Sequence, residues 1–133
     1  MSVKKSVRLG PLAERLCLIL SDSGEPNFSG TINKVMDRYN HLIAASMPEL
    51  EEPERLAIVQ CYNGYMKPER TLDQIAGLEF TISEGYKYDD NVKELIRSEQ
   101  AFQALLEKVR SWSTGERIAV IDMTERYWGE QRQ

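Results

Sequence analysis

Apolar residues recur along most of this chain with a helical rhythm, and the exception stands near its beginning. From residue 3 to residue 9 the pattern alternates. Val3, Lys5, Val7 and Leu9 fall on one side, and Lys4, Ser6 and Arg8 on the other, because successive side chains of a strand point to opposite faces. Lys5 is the off-pattern member of the apolar set. The alternation predicts one short β-strand with Val7 and Leu9 inside and a basic, polar face outside. A lone strand has no stability of its own, so the pattern also predicts a partner for it.

Gly10 and Pro11 end the strand, and proline suits the first position of a helix, where its missing N–H would be unpaired anyway. Leu12, Leu16, Ile19 and Leu20 then follow the stripe of an amphipathic helix that reaches Ser21 or Ser23. The connector "DSGEPNFSG" is rich in turn residues. Ser29 is the expected N-cap of a second helix, on which Ile32, Val35, Met36, Tyr39, Leu42 and Ile43 recur as far as Ala45. Pro48 and Pro53 bracket the acidic "ELEE", a hinge that divides the chain into residues 1–47 and a helical region over residues 48–133. In that region Leu56, Ile58, Val59 and Tyr62 form a helix that Asn63 and Gly64 stop. Thr71 caps "LDQIAGLEFTI", read as helix although Leu78, Phe80 and Ile82 alternate. Asp90 or Asn91 opens a long helical stretch with Val92, Leu95, Ile96, Phe102, Leu105, Leu106 and Val109. Ser113 or Thr114 caps the last helix, which carries Ile118, Ile121, Met123, Tyr127 and Trp128. The fold class is therefore mainly α, with one β-strand and two helices in the first domain and helices in the second.

Charge changes this picture more than composition does. The 133 residues carry a net −4, unevenly placed. Residues 1–47 hold six basic and four acidic side chains, a net +2, whereas residues 48–133 hold 11 and 17, a net −6. Lys4, Lys5 and Arg8 stand in the first eight residues without an acid. Such asymmetry predicts a basic end that meets a polyanion and an acidic remainder that does not. The overall acidity counts against a protein that coats nucleic acid without specificity.

With 41% apolar and 29% charged residues the composition is that of a globular protein. No apolar run approaches the roughly 20 residues of a membrane span, and residues 16–20 are too short for a signal-peptide core, so a cytoplasmic protein without membrane contact is expected. Cys17 and Cys61 lie in helical apolar patterns and read as buried thiols. A single histidine, His41, and no Cys-x-x-Cys give no zinc site. Glu49, Glu51, Glu52, Asp89 and Asp90 read as solvated acids. With no paired nucleophile and no glycine-rich phosphate loop, the reading is of a protein that is not an enzyme and takes no cofactor.

The segments "SVRLGPLAERLCLIL" and "NFSGTINKVMDRY" together resemble the ribbon-helix-helix family of DNA-binding proteins in order and spacing, over about a third of the chain. The resemblance implies a homodimer whose two strands pair antiparallel across a two-fold axis and enter the major groove of double-stranded DNA. It implies base contacts by Lys4, Ser6 and Arg8, the last with two donors suited to guanine O6 and N7. Phosphate contacts fall to Ser29, Gly30 and Thr31 at the start of the second helix, with Lys5. Val7, Leu9, Leu16, Ile32 and Met36 form the implied dimer core. Gly10 departs from the family, in which proline commonly follows the strand directly. The implied role is sequence-specific transcriptional regulation, with dimers able to assemble further on DNA. Plasmid partition, an accessory step of conjugation, and an antitoxin whose C-terminal half binds a protein partner are the alternatives. "ERLAIVQCYNGY" and "ERIAVIDMTERYW" resemble a helical segment that accompanies such N-termini in bacterial mobile-element and phage proteins.

Overall fold

The computed structural model describes residues 10–21, 24–63 and 71–132. Gly10 is extended and hands the chain to α1 (Pro11–Ile19), with proline at its start as the sequence suggests. The helix is shorter than expected: Leu20 already leaves helical geometry, and its N–H donates to Leu16 O in a closing turn. Helix α2 (Phe28–Ser46) begins one residue before Ser29. Asn27 supplies the cap instead, its Oδ1 accepting from Gly30 N–H at 3.0 Å. Asparagine caps a helix as well as serine does, so two adequate caps stood two residues apart and the earlier one starts the helix.

Two compact units emerge, residues 1–41 and residues 42–133, dividing inside α2. In the first, Asn27 N–H donates to Cys17 O at 3.3 Å, and Lys34 Nζ donates to Leu20 O at 2.9 Å, placing a cation on a carbonyl at the C-terminal end of α1. The second unit continues through α3 (Glu52–Cys61), α4 (Thr71–Ala76), α5 (Leu78–Tyr88), α6 (Asp90–Ile96), α7 (Glu99–Ser111) and α8 (Thr114–Gln131).

The core of the second unit gathers around Ile58, Leu78, Ile82, Val92, Leu105, Val109 and Val120, all sealed from solvent. Helix α3 packs on α5, α6 and α8. Tyr86 stacks on Phe102 with centroids 4.1 Å apart, and Trp128 Nε1 donates to Val59 O at 2.8 Å. The local signals are explicit. Glu51 and Glu54 form a capping box at α3, and Ser113 and Glu116 another at α8. Asp89 caps α6 by accepting from Asn91 and Val92 N–H. The long stretch expected from residue 91 to 109 is broken, because Arg97 takes a left-handed φ of 72° and Ser98 caps a new helix by accepting from Ala101 N–H. A left-handed residue is a common way for a helix to stop, and no glycine marked this one.

The expected fold class needs correction. Among the described residues every regular element is helical and no strand is present, so the ribbon-helix-helix architecture with its β-strand gives way to an all-α one. The strand read at residues 3–9 lies outside the described residues. The physical reason is backbone satisfaction. A strand needs a neighbour for its N–H and C=O groups, whereas the described segments are helices, which bond within themselves along their length. The helical remainder of the reading agrees with the structure, including "LDQIAGLEFTI", which forms α4 and the start of α5 around Gly77.

Candidate functional site

The first unit is notable for how little it buries. Among its described residues only Cys17 and Thr31 are buried. Leu12 on α1 is 73% exposed; on α2, Ile32 is 42% and Met36 49% exposed. Phe28, Ile32, Val35 and Met36 follow one another at the 3- and 4-residue spacing of a single stripe along α2. Leu12 and Ile19 share a stripe on α1 by the same spacing. Each helix of this unit thus leaves large apolar side chains in contact with solvent. A unit of 41 residues is at the size where oligomerisation usually has to supply the missing core.

The residues implied for DNA contact and dimer core are placed as follows. Lys4, Lys5, Ser6, Val7, Arg8 and Leu9 lie outside the described residues. Ser29, Gly30 and Thr31 occupy the first turn of α2. Ser29 is exposed, Gly30 N–H is engaged by Asn27, and Thr31 is buried. Leu16 is half-buried, while Ile32 and Met36 stand open on the same stripe. The sequence reading missed Phe28, which extends this stripe by one turn; its spacing of four from Ile32 was the available signal.

Among the described residues no three His, Cys, Asp or Glu side chains gather as for a metal ion, and no helix is long and apolar enough to cross a membrane. The charged pairs of the second unit are structural: Lys108 reaches Glu54 at 2.7 Å, and Arg126 reaches Asp122 at 2.6 Å.

Cys61 and Tyr62 are both buried in this unit. Burial, with the Asp89 charge as a lesser cause, pushes the Cys61 thiol from 9.0 up to about 12. Burial likewise pushes the Tyr62 phenol from 10.0 up to about 12, against a hydrogen bond with Thr81 that lowers it. Both groups stay protonated in the folded chain while the unfolded chain ionises, so stability falls as pH rises from 9 toward 12. The expected result is an alkaline loss of stability in urea titrations. Cys61→Ala should flatten it in part, and thiol reagents should label Cys61 at pH 8 only after unfolding. Rapid labelling of native protein at Cys61 would contradict this burial.

No family model, no curated protein and no solved structure matches the chain.

Proposed function

We propose that the chain is a homodimeric, sequence-specific double-stranded-DNA-binding regulator. Its first unit holds the dimer and carries the cations that face DNA. The observation that carries this reading is the set of exposed apolar side chains on α1 and on α2 of a small unit of net positive charge. A second copy laid on those side chains completes a core that one chain lacks. Pairing doubles the set Lys4, Lys5 and Arg8, and six cations on one dimer suit a phosphate backbone whose binding depends on neutralised charge. The net −6 of the remainder keeps DNA contact to the first unit. The well-filled core of the second unit favours a regulator over an antitoxin, whose partner-binding half folds on its target.

Two measurements on the full chain test the reading. Sedimentation should show a dimer at micromolar concentration, and Ile32→Glu/Met36→Glu should make it a monomer. Fluorescence anisotropy against DNA from the region upstream of its own coding sequence, and against a random library, should show salt-dependent binding. Lys4→Ala/Lys5→Ala/Arg8→Ala should leave the dimer intact and flatten the slope of log K against log salt by up to about 5. A monomeric wild type, or one that binds no DNA in the library, would overturn the proposal.

A further inference from the structure

Arg97 holds a backbone conformation that arginine seldom takes. Its φ is 72° and its ψ −32°, and Ser98 N–H donates to Ile96 O at 3.0 Å across it. This is near the tight three-residue γ-turn that is rare and strained outside glycine. Glycine would end α6 here without strain. Strain of this kind gathers where a side chain has to be held in place for a ligand. Among the described residues the Arg97 guanidinium has no hydrogen-bond or ion-pair partner.

Arg97 lines a half-open cleft of about 490 Å³ where the start of α3, the end of α6 and α7 meet. Pro53, Leu95, Ala101, Ala104 and Leu105 give the cleft an apolar wall. A second hollow continues past Arg97, sharing Pro53 and Leu95 and adding Asn91 and Glu94. The other charged groups of the cleft already have partners. Glu54 Oε1 accepts from Lys108 Nζ at 2.7 Å and from Glu51 N–H at 2.9 Å, and the Glu51 side chain closes the capping box of α3. One cation thus stands without an acceptor beside an apolar space, and ligand sites are built in this way, from apolar walls and a few placed polar groups. Ser98 caps α7 directly after Arg97, so the positive end of that helix favours an anion at the same place. Glu94 acts against a second negative charge there.

We propose that this cleft binds an aliphatic monocarboxylate. The carboxylate is held at two points by the Arg97 guanidinium, and the chain lies along Pro53, Leu95, Ala104 and Leu105. A single carboxylate offers the two acceptors that the guanidinium fork matches, at one unit of charge. The cleft has the volume of sites that take small organic ligands, and its open side leaves the end of a longer chain in water. All of its lining belongs to the second unit, so the site does not rest on the proposed DNA binding.

The test titrates the full, isotope-labelled chain with decanoate in the absence of DNA and follows its backbone amides by NMR. Decanoate should bind saturably, with a Kd of about 1 mM or tighter, and should move the amides of residues 96–105. Decanol, with the same chain and no charge, should bind at least about tenfold more weakly. Arg97→Gly should weaken decanoate binding by a similar factor while its unfolding midpoint stays level or rises, because glycine relieves the turn. Ala104→Trp, at an exposed position of α7, should fill the cleft and abolish binding with the fold retained. No saturation at about ten times the expected Kd overturns the site. So do saturable shifts confined to other residues, decanol binding as tightly as decanoate, or either folded variant binding as wild type does. Ile32→Glu/Met36→Glu should bind decanoate unchanged, so failure of the dimer and failure of this site read out separately.

Discussion

Arg117→Met is expected to destabilise the folded chain by about 3 kcal/mol and to lower its midpoint by about 15 °C. Arg117 stands in the first turn of α8, largely buried, and its guanidinium serves three carbonyls. Nη2 donates to Val109 O at 3.0 Å, Nη1 to Ile75 O at 3.3 Å and Nε to Trp112 O at 3.4 Å. Val109 and Trp112 end α7 and Ile75 sits near the end of α4, so one side chain satisfies the carbonyl ends of two helices, where the helix dipole favours a cation. Methionine keeps much of the volume and removes every donor. The cost falls on the carbonyls rather than on Glu79, which retains Arg110. Arg117→Lys should recover little, because a single ammonium does not reproduce the planar fork. Thermal and urea unfolding followed by circular dichroism decide the matter. A loss below about 1 kcal/mol would mean that water replaces the guanidinium at these carbonyls.

Gly85→Ala should destabilise by about 2 kcal/mol even though alanine is the better helix former by ~1 kcal/mol. A Cβ at this position would overlap Cys61 Sγ and stand 3.2 Å from Cys61 Cβ. Helices α3 and α5 therefore meet at a spacing that only glycine permits. The clash has a single principal partner, which makes it testable as a pair. Cys61→Ala alone removes a buried sulfur and should cost about 1 kcal/mol. Combined with Gly85→Ala it should cost less than the two separately, with a coupling of at least ~1 kcal/mol. Additive losses would show that the backbone of α3 rather than the sulfur sets the spacing.

Neither residue was legible in the linear pattern. Arg117 reads as one more polar position in the last helix, and Gly85 lies between the segments that the pattern assigns. Their roles depend on which helix ends and which helix faces arrive beside them. Gly77, inside a segment read as one helix, is where α4 gives way to α5. Arg97, which nothing flagged, is where the long helix breaks.

The candidate site was legible unevenly. The stripe Ile32, Val35 and Met36 followed from spacing alone, because an amphipathic helix declares its apolar face wherever it lies. That this face stays open in the single chain did not follow, since spacing is the same whether a stripe is covered by the chain itself or left for another copy.

By itself the amino-acid order determined the helical character of the described chain, the cap at Ser113, and the separation of a basic beginning from an acidic remainder, while it placed the cap of α2 at Ser29 where Asn27 serves. These are local properties, set by side-chain spacing, by hydrogen bonds within a turn and by the count of charges. The tertiary structure alone decided that the described elements form no strand, that α1 and α2 each leave apolar side chains uncovered, and that Arg117 closes two helix ends. Each of those depends on groups far apart in the chain arriving, or failing to arrive, within bonding distance.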